Sequence, residues 1–211
     1  MIGLRTYRLS PWFLGAILGF SLTGQPVLAG PPSAVVEQFH QSLLDVMKTA
    51  SSTKIQGRYD KLETPISETF NLPAMIQVAS GAKWRDASDE EKLKLVTAFR
   101  RVSVGTYAQR FDGFSGEQFE TVGEQDGPSG SKLVQTRIVR PNKDPVPITY
   151  VMRKFGDDWR VVDVIVSNGI SELAVRRSEY NAILNAGGPP ELVAKLNQKA
   201  DAILAGTASA N

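Results

Sequence analysis

The chain has 211 residues, 42% hydrophobic and 22% charged, which is enough apolar material for one packed domain and argues against a disordered chain. It has no cysteine and one histidine, so disulfides are excluded and a transition-metal site has almost no ligands to draw on. A formal net charge of +2 supplies no concentrated basic surface of the kind nucleic-acid binding needs.

Arg5 and Arg8 precede a short apolar run from Trp12 to Leu22, and Val27-Leu28-Ala29 follows as a small-residue cleavage pattern. That is the anatomy of a secretory signal peptide, and the run is short for a membrane span. Removing residues 1–29 takes away two of the 24 basic residues and no acid, leaving 22 of each sign. The expected organisation is therefore a signal peptide over 1–29, one domain over 30–205 and a flexible tail over 206–211. The mature protein is expected to be periplasmic and monomeric, held by its core rather than by disulfides. With no cysteine after the apolar run, a lipoprotein anchor is excluded.

Ser33 is placed to cap a first helix whose apolar side is Val36, Phe39, Leu43 and Val46-Met47. Tyr59, Leu62, Ile66 and Phe70 mark a second helix, with Pro65 as a break or a first turn. Asn71 and Pro73 restart a helix that Gly81 closes. Ser88 with Glu91 forms a capping box opening a long helix to about Phe111. That helix carries two apolar rows, Leu93-Val96-Val104-Tyr107-Phe111 and Leu95-Phe99-Val102. It is expected to be covered on two sides, or covered on one and facing a cavity on the other.

Beyond Gly113–Gly116 the pattern alternates, predicting strands at about 118–125, 132–140, 146–155 and 159–166. The turn clusters Asp126–Gly130, Pro141–Pro145 and Gly156–Asp158 separate them, and such short connections imply an antiparallel meander. Asn168-Gly169 leads into a helix from about Ser171 to Ala186, Gly187-Gly188-Pro189-Pro190 punctuates, and a last helix repeats Leu192, Leu196, Ala200 and Ile203. The fold class is α+β in one domain, with about four strands.

Catalytic chemistry finds little to work with. His40 lies on the apolar side of the first helix and reads as a satisfied core histidine. No phosphate loop or nucleophile elbow is present. Asp163, inside the apolar run Val161–Val166, has two open roles. It could be a general base for an enzyme acting on an apolar small molecule, or a structural carboxylate bonded to backbone amides or to an arginine such as Arg137. Arg100-Arg101 and Arg176-Arg177 read as solvated helix faces, or else as contacts to a partner or a lipid phosphate, and Trp84 and Trp159 as core or rim aromatics.

Several segments resemble the MlaC, or toluene-tolerance, family of periplasmic lipid-binding proteins. They are Ala79-Ser80-Gly81-Ala82-Lys83-Trp84-Arg85, Thr106-Tyr107-Ala108 and Trp159-Arg160-Val161-Val162-Asp163-Val164. Asn168-Gly169-Ile170-Ser171, Arg177-Ser178-Glu179-Tyr180 and Gly187-Gly188 follow in order. Asp112-Gly113-Phe114-Ser115-Gly116 and Ser171-Glu172-Leu173-Ala174 with Arg176-Arg177-Ser178 are similar to the hopanoid-associated HpnM branch. Asn168 departs from the pattern, standing where the family often has an acid. The resemblance implies a cone-shaped sheet of the nuclear-transport-factor-two-like kind, closed by helices over a lipid cavity. It also implies a non-enzymatic carrier of phospholipid or hopanoid, working without cofactor or metal between an inner-membrane transport complex and an outer-membrane acceptor. The walls expected for that cavity are Ile148, Tyr150 and Met152 on one strand, Val134 and Ile138 on a second, and Val162 and Val164 on a third. Phe99, Val102 and Tyr107 stand opposite on the long helix, with Phe70 and Trp84 completing the set. For each of these residues, ordinary core packing is the competing role.

Overall fold

A computed structural model describes residues 30–166 and 169–208. The expected signal peptide over 1–29 and the departure at Asn168 lie outside the described residues. Five helices come first: α1 (Pro32–Lys48), α2 (Ile55–Thr69), α3 (Leu72–Ser80), α4 (Lys83–Asp86) and α5 (Asp89–Arg110). The sheet follows as β1 (Gln118–Asp126), β2 (Lys132–Arg140), β3 (Lys143–Phe155), β4 (Asp158–Val166) and β5 (Ile170–Ser171), and α6 (Glu172–Leu204) closes the chain. The five strands lie in sequence order, each antiparallel to its neighbour. The α+β meander is as expected, with β5 added as a two-residue fifth strand.

Local chemistry explains most boundaries. Ser88 and Glu91 form both halves of the capping box on α5. The Asn71 side chain accepts from the Ala74 amide at 3.0 Å to start α3, and Gly81 ends it at φ 58°. Ser33 does not cap α1: it lies inside the helix, which starts at Pro32, where proline's fixed φ suits a first turn and its missing N–H costs nothing. Pro65 does not break α2. The bond it cannot make belongs to the carbonyl of exposed Lys61, while Leu62 and Ile66 beside it are buried. The expected loop over Pro141–Pro145 shortens to a tight turn, with Asn142 at φ 57° and Arg140 opposite Lys143. Pro145 and Pro147 then fall in the first part of β3, beyond the reach of β4, where their absent amides break no bond on that side. α6 bends at Gly188 (φ 68°), and Pro189 and Pro190 begin its second half.

The inner sheet face is written in cross-strand rows: Met152 opposite Val161, Val134–Tyr150–Val164, and Thr136–Ile148–Val166. α1, α2 and α3 pack against the sheet, α6 touches β4 and β5 and packs along α5, and α5 rests on α2, α3 and α6. A bulge in β4 decides one residue's fate. Met152 faces Val161 and Val151 faces Asp163, which leaves Val162 as the extra residue. Val161 therefore takes the buried inner position, and Val162 joins Val151 and Asp163 along a surface cleft on the other face. Gly105 lets α5 approach α6 closely, since a Cβ there would stand 3.3 Å from the Ile203 side chain.

Two buried or partly buried polar groups tie layers together. His40 on α1 meets the Tyr150 hydroxyl through Nε2 at 3.0 Å and stacks on Phe119 with ring centroids 4.2 Å apart. Asp163 on β4 accepts from the Val164 and Leu173 amides at 2.8 and 3.0 Å and from the Ser171 hydroxyl at 2.6 Å. Ser171 in turn accepts from the Ala174 amide, so the carboxylate and its neighbour seat the first turn of α6. Arg137 pairs with Glu120 instead.

Burial lowers the His40 pKa to about 4. Between that value and the ordinary 6.5 the unfolded chain binds the extra proton, so stability rises with pH through this window and is lost as pH falls. Denaturant melts at pH 7 and pH 4.5 should differ by up to ~3 kcal/mol from this residue. His40→Gln should flatten that part of the profile; an unchanged profile would contradict the burial argument. Asp163→Ala should cost about 2 kcal/mol in the same measurement, with Asp163→Asn losing roughly half as much because its amide oxygen still accepts.

Candidate functional site

A cavity of about 200 Å³ lies between one end of the inner sheet face and α5. Ile138, Ile148, Tyr150, Val164 and Val166 form its floor, and Ile66, Phe70, Leu72 and Met75 of α2, α3 and their junction form a side. The third wall is a stripe of α5, Phe99-Ser103-Thr106-Tyr107-Arg110-Phe111, with the spacing of one helical face. Glu172 and Arg176 of α6 complete the lining. The junction is pinned to the sheet: the Asn71 amide donates to the Val161 carbonyl at 2.9 Å, and Arg160 donates to the Ser67 carbonyl at 3.1 Å.

The wall next to β1 is aromatic. Phe39, Phe70 and Tyr107 meet edge-on with centroids 5.1 to 5.7 Å apart, Tyr107 stacks on Phe111 at 5.8 Å, and Phe111 leans on Phe119 at 6.2 Å. Such rings build a stiff wall that leaves few ways to collapse inward. Burial pushes the Tyr107 and Tyr150 phenols well above their ordinary value, so both stay neutral. The ionic groups of the lining gather around α6. Arg110 pairs with Glu172 at 3.8 Å. The half-buried Arg176 sits over the Phe99 ring at 5.5 Å and donates to the Tyr180 hydroxyl at 3.3 Å.

Seven of the expected wall residues meet at this cavity: Phe70, Phe99, Tyr107, Ile138, Ile148, Tyr150 and Val164. Five do not. Val134 and Met152 share the inner face but stand toward its solid end, both with 0% exposure. Val102 is equally buried, on the face of α5 beside the cavity stripe. Val162 is turned to the opposite face by the bulge, and Trp84, on α4, packs partly buried against the core away from the lining. Asp163 does not line the cavity, and its oxygens are engaged with amides and a hydroxyl, which is the structural role.

The sequence left Arg176 open between a solvated face and a contact to a partner or a lipid phosphate, and did not place it in the cavity wall. The signal was present in the spacing Leu173-Arg176-Tyr180-Leu184, three then four then four residues, which sets an arginine among core positions of α6. Ser103 and Thr106 were missed because small hydroxyl residues do not register in an apolar pattern, although Ser103 is buried. Among the described residues no helix is long and apolar enough to cross a membrane.

The family model described as MlaC protein matches residues 37–198. A solved structure described as a phospholipid-binding protein from Ralstonia solanacearum, in complex with a phospholipid, superposes with a TM-score of 0.73 at 17% identity. The match covers 82% of this chain and 99% of that one, and at this identity it establishes a shared fold. No curated protein matches the chain. With the family model spanning most of the chain, from α1 to the second half of α6, the protein belongs to the MlaC protein family.

Proposed function

We propose that this protein is a periplasmic lipid carrier, sheltering acyl chains in the cavity between the sheet and α5 and performing no chemistry. The observation that carries this reading is an apolar cavity walled by aliphatic and aromatic side chains, with ionic groups confined to its α6 side. Membership of the MlaC family and the fold shared with a protein seen holding a phospholipid support it.

The energetics favour an enclosed site. Exposing a methylene to water costs ~0.8 kcal/mol, so the roughly 30 methylenes of a two-chain lipid cost on the order of 20 kcal/mol if left wet. A surface groove recovers only part of that. The cavity as it stands is smaller than the roughly 300–1,000 Å³ of pockets that enclose drug-sized ligands, so a whole lipid needs its walls to part. The half of α6 before Gly188 is the wall set off by a break in its backbone. In this reading the protein takes phospholipid, or hopanoid as the second ligand class, between an inner-membrane transport complex and an outer-membrane acceptor. A signal peptide over 1–29 places it there.

Native mass spectrometry of protein purified from bacterial cells should show bound lipid; wild-type protein consistently free of lipid would remove the carrier reading. Ser103→Phe places a ring in the cavity and should lower bound lipid several-fold, with the melting temperature changed by no more than a few degrees. Val102→Trp, one position round the helix, overpacks solid core and should instead cost about 1–3 kcal/mol of stability. Lipid content unchanged in Ser103→Phe would place the tails elsewhere.

A further inference from the structure

Arg176 is charged in any environment a protein provides, and it offers five donors. A guanidinium withdrawn from water needs a hydrogen-bonded counter-charge, because its desolvation is not recovered otherwise. Arg176 has a poor supply of these. Its hydrogen bond is the 3.3 Å contact to the Tyr180 hydroxyl, and its second contact is the Phe99 ring. Among the described residues no carboxylate oxygen lies within 4 Å of it; the one acid of the cavity lining, Glu172, is within that distance of Arg110 and acts on Arg176 only from farther away. The guanidinium thus stands at an apolar cavity with donors to spare, on a helix face whose other members, Leu173, Tyr180 and Leu184, are core.

We propose that the ligand bears an anionic head, a carboxylate or a phosphate, that seats on Arg176 while its hydrocarbon enters the cavity, and that Arg176 makes this site prefer anionic over neutral lipids. The planar donor fork matches either oxyanion in a two-bond geometry. A neutral lipid would offer the cavity hydrocarbon but leave the guanidinium's spare donors without an oxyanion in reach. The inference rests on the carrier reading and narrows it to acidic lipids.

The test compares ligands with the same tails and different heads. Purified, delipidated full-length mature protein is titrated with palmitate against hexadecanol, and with dipalmitoyl phosphatidylglycerol against dipalmitoylglycerol, each presented from neutral detergent micelles. Wild type should bind the anionic member of at least one pair on the order of 10- to 100-fold more tightly. The pair showing the larger ratio identifies a carboxylate or a phosphate head. Arg176→Gln should abolish that ratio while leaving affinity for the neutral member within about twofold, and Arg176→Lys should restore part of it. Equal affinity for charged and neutral members in wild type overturns the anchor while leaving the carrier reading standing, and it does so without a variant that must fold. A ratio that survives in Arg176→Gln also overturns it. If wild type takes up none of the four lipids, the carrier reading falls first.

Discussion

The inner face of the sheet is packed unevenly along its length, and the rest of the molecule follows from that. At one end Met152, Val161 and Val134 are completely enclosed. At the other, Ile138, Ile148, Val164 and Val166 face a cavity that α5 spans without filling. Protein interiors ordinarily close such spaces, because lining atoms without partners lose their dispersion contacts. Here the stripe of α5 above the gap carries Ser103 and Thr106, side chains too short to reach the floor, between rings that hold one another apart. The cavity is thus a property of which residues stand on one helical face.

Keeping that space open requires the walls to be held by something other than each other. The His40–Tyr150 contact fixes α1 to the sheet from the side of β3. The Asn71 and Arg160 bonds fix the α2–α3 junction to β4. Asp163 fixes the start of α6, working from the outer side of β4 so that none of its charge enters the cavity. Each of these polar groups is satisfied, and each sits where a helix must be held at a set distance from the sheet.

Charge is distributed to match. The aliphatic and aromatic walls of the cavity carry none, and the ionic groups of the lining, Arg110, Glu172 and Arg176, gather toward one side. An amphiphile presents the same asymmetry, tails at one end and polar head at the other. A catalytic site would show the reverse, with reactive groups converging on a point inside the cavity. Asp163, the one acid that the apolar strand pattern singled out, is already committed to amides.

The order of elements, the long capped helix, the meander and the break at Gly188 were legible in the chain, because caps, turn residues and period-two alternation act over a few neighbouring residues. So was the excess of apolar surface on α5. What periodicity expresses is which side of an element avoids water; it is silent about what lies across from that side. Hence Val102, Val134 and Met152 were indistinguishable from Phe99, Ile138 and Ile148 until the layers were assembled, and only the assembly made the first three solid core and the last three cavity wall. Val162 was misplaced because a bulge shifts the alternation by one residue, and a bulge depends on the partner strand. Arg176 became a cavity residue only when α6 lay down on α5, since a side chain that is solvated on an isolated helix is enclosed once a second helix and the sheet reach it.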